Sequence, residues 1–365
     1  MAPCRPPERE RWPGAEASGR PGRGSITPTR ISAAAAAAVA VAIATLQPAT
    51  ARADEFRPAV VFAIGSKFDG SFNEGVWNGV SRFMEETGVE VMEAVPTDPA
   101  QREDAMRRVL RRGATVVLGV GFDQADVVDA AANEHPDRNF AIIDVDWLED
   151  RPNLRQYRFA EHEGAYLAGV ASALATRSGT VGFVGGMDIP LIRRVACGYA
   201  QGAKETRADV RVIRNMTGTT PAAWNDPTRG AEIARSQMDR GADVIFHGAG
   251  TTGLGVIRAV ADEGRLAIGV DSDQHQAAPG HVLTSMLKRA DIAARDVFMA
   301  AMDGEFTGGV VNLGVAEGGV DLVMDDNNAD LMTADMRAAV ERAKEGIVSG
   351  GIAVHDYEED GSCPY

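Results

Sequence analysis

From residue 58 onward, short apolar runs alternate with stretches in which apolar residues recur every three or four positions. The first run, 59–65 (AVVFAIG), is rich in β-branched and aromatic residues and reads as a strand. In 75–86, Val76, Trp77, Val80, Phe83 and Met84 fall on one helical face, and Gly88 stops the helix. The same alternation predicts strands at 89–95, 115–120 and 139–144, with helices at 99–111 and 124–133. Pro152 and Asn153 break the series, which restarts with a strand at 155–160 and a helix at 164–175. Strands at 180–184, 210–215, 242–247 and 266–270 follow, with helices at 191–206, 227–240 and 253–263 between them. A short strand at 282–286 leads to a helix at 289–302; 310–324 reads as a Gly-punctuated hairpin and 333–348 as the last helix.

Regular β-α-β-α order is the signature of a parallel, doubly wound sheet. Two such series of similar size imply an α/β chain of two lobes with a cleft between them. Many strands end in a Gly- or Asp-bearing loop: 65–73, 119–123, Asp144, 185–186, 217–226, 248–253 and Asp271. Ligands of open α/β sheets bind at the carboxyl ends of the strands, so these loops are expected to surround one ligand.

Composition narrows the classes. The formal net charge is −15, and without the seven Arg and three Glu of the first 53 residues the remainder carries 30 basic and 49 acidic side chains. So acidic a body argues against nucleic acid or an anionic membrane surface as partner. The first 53 residues read as an export signal: a basic region ending at Arg30, an Ala-rich apolar run from Ile31 to Leu46, and a small-x-small cleavage site at Ala51-Arg52-Ala53. A mature chain beginning near Asp54 is expected in the periplasm, and no Cys follows the apolar run to carry a lipid anchor. An uncleaved membrane anchor is the alternative. Cys4 belongs to the leader; for Cys197 and Cys363, a disulfide pinning the C-terminal tail and a buried free thiol on an apolar helix both fit the pattern.

The loop Ser66-Lys67-Phe68-Asp69-Gly70-Ser71-Phe72-Asn73 follows the first strand and carries two aromatics and two short polar side chains. It fits a binding loop. Equally, Asn73 fits a helix N-cap, and Phe68 and Phe72 fit core positions. Gly248-Ala249-Gly250-Thr251-Thr252-Gly253 follows a strand, opens a helix and precedes Asp271 by about 20 residues, which meets the dinucleotide fingerprint locally. The same turn serves any ribose-bearing ligand, or none. Trp224, in the polar loop 217–226, offers a flat stacking face or a plug for the lobe surface. Lys288 stands between a strand and a helix N-terminus, where the dipole disfavours a cation and a ligand role gains weight. Metal and nucleophilic chemistry find no support. The six His make no H-x-x-H, there is no C-x-x-C and no G-x-S-x-G, and no cofactor is expected.

Together the segments 68–73 (FDGSFN), 119–122 (GVGF), 141–144 (AIID), 163–169 (EGAYLAG), 181–186 (VGFVGG), 241–246 (GADVIF), 268–274 (IGVDSDQ) and 283–285 (LTS) resemble the basic membrane protein, or PnrA-like, family of ABC-transporter substrate-binding proteins. The resemblance covers nearly the whole mature chain. It implies a type I periplasmic-binding-protein fold, two doubly wound parallel-sheet lobes joined by a three-segment hinge. The expected lobes are 54–157 with about 287–312, and 158–286 with about 313–365. It implies a non-enzymatic protein that captures a nucleoside or related small molecule for an ABC permease. By that similarity Asp69 and Asn73 bond the base, an aromatic of the first loop (Phe68 or Phe72) and Trp224 stack on it, and Asp144 meets its edge beside Gly121. Asp271, the turn at Gly248 and Gly250, and Lys288 hold the ribose. The competing readings are an extracytoplasmic nicotinamide-dependent oxidoreductase using 248–253, a ligand-sensing module for a membrane receptor, and a sugar-binding member of the same fold.

Overall fold

A computed structural model describes residues 56–365; the expected leader, residues 1–53, lies outside the described residues. The strands form two six-stranded sheets. The first contains β1 (Pro58–Val61), β2 (Met92–Ala94), β3 (Val116–Gly119), β4 (Asn139–Ile143), β5 (Leu154–Phe159) and β11 (Gly309–Leu313). Its order is β11-β5-β4-β3-β1-β2, parallel throughout. The second contains β6 (Thr180–Met187), β7 (Arg211–Gly218), β8 (Val244–Gly248), β9 (Leu266–Asp271), β10 (Val282–Lys288) and β12 (Val320–Leu322). Its order is β12-β10-β9-β8-β6-β7, with only β12 antiparallel.

The inner strands β1, β3, β4, β6, β8 and β9 are largely apolar on both faces because helices cover both faces. Alternate residues enter different cores. Val60, Leu118 and Ile143 join one cluster, while Ala59, Val61, Val117 and Ile142 join another on the opposite face of the first sheet. The second sheet repeats this, with Phe183, Phe246 and Ile268 on one side and Val184, Ile245 and Ala267 on the other. The first cluster is shared by both sheets and takes in the helices α1 (Phe72–Thr87), α4 (Glu161–Ala175), α5 (Pro190–Thr206), α8 (Ala290–Met302) and α9 (Ala334–Val348). The remaining helices are α2 (Arg102–Arg111), α3 (Ala125–Glu134), α6 (Pro227–Asp239), α7 (Thr252–Asp262) and the short α10 (Tyr357–Asp360).

α4 is apolar almost all round because it is buried almost all round. It packs on α5 backbone to backbone. A Cβ on Gly198 would lie 2.2 Å from the His162 carbonyl oxygen, and one on Gly202 2.0 Å from that of Tyr166. α8 docks on the first sheet: the Asp296 carboxylate accepts from Tyr157 at 2.8 Å and pairs with Arg155 at 3.1 Å, both on β5.

Two sequence expectations are corrected. The strand expected to restart the series at residue 155 is β5, which lies inside the first sheet between β4 and β11. The apolar pattern marks a strand but carries no record of its neighbours. The expected 310–324 hairpin does not form: β11 runs parallel to β5 in the first sheet and β12 antiparallel to β10 in the second. The glycines that suggested a turn serve a crossing between sheets. A Cβ on Gly319 would lie 2.4 Å from Leu313 Cβ.

Candidate functional site

Two aspartates occupy equivalent places, one in each sheet. Asp144 directly follows β4 and Asp271 ends β9. They are the two non-glycine residues of the described chain with positive φ, 68° and 67°. Left-handed backbone costs an L-residue roughly 1–2 kcal/mol, less for Asp, so such outliers persist where something else requires them. Both carboxylates face one cation. Lys288 Nζ, at the end of β10, lies 2.5 Å from Asp144 Oδ1 and 2.8 Å from Glu161 Oε1, at the start of α4. Asp271 pairs with Leu287 in the β9–β10 register, beside Lys288, and accepts a short hydrogen bond from Ser71 Oγ of the first loop.

The electrostatics follow from burial and these partners. Burial pushes the Asp144 carboxyl up, Lys288 pulls it part of the way back, and it settles at about 6. Burial also raises Asp271 to about 6, with Lys288 and Ser71 opposing. Burial alone would raise Glu161, but Lys288 and Arg194 outweigh it and hold the carboxyl at about 2. For Lys288, burial favours the neutral amine, and Asp144, Glu161 and Asp271 together reverse that, so the ammonium persists above the ordinary lysine range. Arg194 balances Glu161, which leaves Asp144 and Asp271 against one ammonium. A site with spare carboxylate accepts hydrogen bonds from hydroxyl and amine donors; it is ill suited to a phosphate.

Phe72 completes this centre. Lys288 Nζ sits 4.9 Å from its ring centroid, a cation–π distance. Gly121, with φ of 90°, leaves room beside the ring: a Cβ there would lie 3.7 Å from Phe72 Cε1. A pocket of about 440 Å³ opens between α1 and the ends of β9 and β10, with Asp271, Ser272 and Lys288 in its wall. Thus Phe72, Gly121, Asp144, Asp271 and Lys288 come together from both sheets.

The other expected residues lie around this centre. Asp69 caps α1, its carboxylate accepting from the backbone N–H groups of Ser71 (2.8 Å), Asn73 (3.0 Å) and Glu74 (3.1 Å). Burial nonetheless raises its pKa. Asn73 is the second residue of α1 and not its N-cap. Its side chain ties the loop to Ala63 and Ser66, accepting from Ala63 N (3.2 Å) and donating to the carbonyl oxygens of Ala63 (3.2 Å) and Ser66 (3.0 Å). Phe68 is 63% exposed and meets Trp77 edge-on at 6.3 Å. Trp224 covers Gly186, where a Cβ would lie 2.3 Å from the indole. Gly248 and Gly250 belong to the same end of the second sheet: a Cβ on Gly248 would lie 3.3 Å from Phe183, and one on Gly250 3.4 Å from the Trp224 carbonyl oxygen. Gly253 is pressed on the His247 ring. Packing against rings therefore accounts for Gly248 and Gly253 without a dinucleotide, and a left-handed φ of 55° accounts for Gly250. Cys197 and Cys363 form a disulfide, Cα–Cα 5.6 Å.

Several residues of the centre carry no sequence signal. Glu161 looks like an ordinary acidic residue in a helix first turn, and Arg194 like a helix-surface cation; both are buried and ion-paired to each other. Gln274 is held by Val270 N (2.9 Å), Ser285 Oγ (3.0 Å) and His247 Nε2 (2.8 Å), and donates to Gly70 O of the opposite sheet at 2.8 Å. Ser272 Oγ likewise donates to Ser71 O at 3.1 Å. Loop 66–73 is thus joined to the end of β9 by hydrogen bonds that span the two sheets.

Comparison with known proteins agrees with this arrangement. The family model for the PnrA-like ABC-transporter substrate-binding proteins matches residues 56–358. The ABC-transporter nucleoside-binding protein BmpA of Lactococcus lactis subsp. cremoris is 31% identical over 324 residues, covering 82% of this chain and 89% of that protein. An uncharacterized lipoprotein of Pyrococcus abyssi is 33% identical over 282 residues, 73% of this chain and 69% of that one. The crystal structure of an ABC-transporter solute-binding protein from Aeropyrum pernix K1 superposes with a TM-score of 0.75 at 28% identity, covering 83% of this chain and 94% of that one. The two parallel sheets are those of the type I periplasmic-binding-protein fold. A match that runs through both sheets, and a relative similar over most of its own length, mean that the chain belongs to the PnrA-like family of ABC-transporter substrate-binding proteins.

Proposed function

We propose that the chain captures a nucleoside between its two sheets and delivers it to an ABC permease, without chemical change to the ligand. The observation that carries this reading is the pair of left-handed aspartates, Asp144 and Asp271, facing Lys288 from opposite sheets. A vicinal diol donates to a carboxylate and accepts from an ammonium, which suits ribose on Asp271 and Lys288. Asp144 is left for the donor edge of a base. Asp69 retains one acceptor position after its three backbone bonds, and with Asn73 it is assigned to the base. Phe72, beside Gly121 and Lys288, is the first-loop aromatic assigned to stacking, with Trp224 on the second sheet; the turn at Gly248 and Gly250 borders the sugar. A relative that bears the name nucleoside-binding protein supports the ligand class.

The lobes are taken as 54–157 with about 287–312, and 158–286 with about 313–365. Ligand contacts to both lobes favour the closed form, so binding works by population shift. The Cys197–Cys363 disulfide supports an oxidising compartment, and we place the mature chain in the periplasm. The test is a thermal-shift and calorimetric comparison of adenosine, guanosine, inosine and uridine with adenine, ribose, glucose and NADH. A nucleoside at 100 times its Kd is expected to stabilise by about 2.7 kcal/mol. Stabilisation by a free sugar or by NADH, with none by the nucleosides, overturns the reading.

A further inference from the structure

The last residues of the chain form a strap whose contacts lead back to the ligand centre. Along one face of α5, Arg193 donates to the Tyr357 hydroxyl (3.0 Å), Arg194 pairs with Glu358 (2.7 Å), Cys197 is bonded to Cys363, and Gln201 donates to Ala353 O (3.0 Å) and accepts from His355 N (2.8 Å). The strap also reaches the first sheet. Arg158 of β5 pairs with Asp356 (2.6 Å), with Glu358 (3.3 Å) and with Asp146 (2.9 Å), two residues beyond Asp144. From Glu358 a line of alternating charge runs inward: Arg194, then Glu161, then Lys288, then Asp144. Arg194, Glu161, Lys288 and Asp144 are all under a tenth exposed. Buried charges this close are not independent, since moving one leaves its neighbour uncompensated.

We propose that the C-terminal strap, residues 353–365, positions the ligand-site lysine: Glu358 and Asp356 hold Arg194, Arg194 holds Glu161, and Glu161 holds Lys288. Glu161, Arg194 and Glu358 are positioning residues that touch no ligand. The disulfide fixes the strap on α5 and so fixes the outer end of the line. When Glu358 loses its charge or the strap is released, Arg194 turns its full charge on Glu161, and Lys288 loses part of its hold on Glu161 and is left to Asp144. The effect on affinity rests on the nucleoside reading; the effect on Lys288 does not.

The chain has four lysines, Lys67, Lys204, Lys288 and Lys344, so a protein labelled with 15N at the lysine ζ-nitrogen reads Lys288 directly. The samples are the oxidised wild type, Glu358→Gln, and the wild type with its disulfide reduced. Glu358 is partly exposed, which favours a folded variant, and the reduced wild type needs no substitution. The expected result is a displaced Lys288 ammonium signal in both perturbed samples, an unmoved Lys67 signal, and adenosine affinity weakened roughly threefold to twentyfold, as for loss of one partly exposed charge-assisted contact. A Lys288 signal unchanged in both samples overturns the proposal. So does a displaced signal with unchanged affinity in a protein that binds adenosine. If the wild type binds no nucleoside, the functional reading falls, and the Lys288 signal still decides the positioning.

Discussion

Asp271→Asn is expected to stabilise the ligand-free protein while weakening its ligand site. Charging a carboxyl whose pKa moves from 3.8 in the unfolded chain to about 6 in the fold costs the folded state about 3 kcal/mol at neutral pH. Asp271 also borders the open pocket, where water shares its charge, so the recoverable part is about 1–2 kcal/mol. Asn is nearly isosteric, tolerates the φ of 67°, and can still accept from Ser71 Oγ. The sign runs opposite to the usual carboxylate. Between pH 3.8 and about 6 the folded state holds a proton that the unfolded chain has released, so wild-type stability falls as pH rises through that window. The advantage of Asn is therefore near zero below pH 3.8, grows through the window, and is complete above pH 6. Urea denaturation of both proteins across pH 3.5 to 7.5 measures it. A variant less stable than wild type at pH 7.5, or a difference that does not change with pH, refutes the reasoning. The same variant is expected to bind adenosine tenfold or more weakly, from the loss of a charge-assisted bond of roughly 1.5–3 kcal/mol.

Glu161→Gln is expected to destabilise by about 3 kcal/mol at pH 7, since the folded-state pKa of about 2 lies well below the ordinary 4.5. That loss, measured by urea denaturation, stays constant above pH 4.5 and shrinks as pH falls toward 2, where the wild-type carboxyl also takes its proton. Reducing the Cys197–Cys363 bond, which closes a loop of 166 residues, should lower stability by about 2–4 kcal/mol, seen as a lower Tm with dithiothreitol than without. Gly202→Ala places a methyl 2.0 Å from the Tyr166 carbonyl oxygen and should cost about 1–3 kcal/mol or more by forcing α4 from α5; a Tm equal to wild type would contradict the packing described.

The two sheets are legible because their inner strands are buried on both faces and bounded by Gly, Asp and Pro, so apolar runs and helical faces alternate. What the pattern lacks is partnership. β5 reads as the start of a new series because Pro152 and Asn153 precede it, yet its neighbours are β4 and β11. β11 and β12 read as a hairpin because six residues separate them, yet they belong to different sheets. Hydrophobic periodicity fixes which face is buried and leaves open against what.

The same distinction runs through the site. The loops around the proposed ligand centre could be read from strand ends, but not which of their side chains the backbone already uses. Asp69 and Asp271 both stand in strand-end loops, and both are pushed above the ordinary carboxylate value by burial. Their surroundings differ in donors. Asp69 sits at the start of α1, where backbone N–H groups lack helical partners, and accepts from three, those of Ser71, Asn73 and Glu74. Asp271, turned by its left-handed backbone, meets one hydroxyl and the field of one lysine. A carboxylate satisfied by its own helix contributes mostly shape to a ligand, whereas one left short of donors in a buried place has free energy to gain from a hydroxyl that supplies them. That is the physical reason to expect the larger binding loss at Asp271 and the larger folding loss at Asp69, a difference that no property of the two residues as letters in a sequence contains.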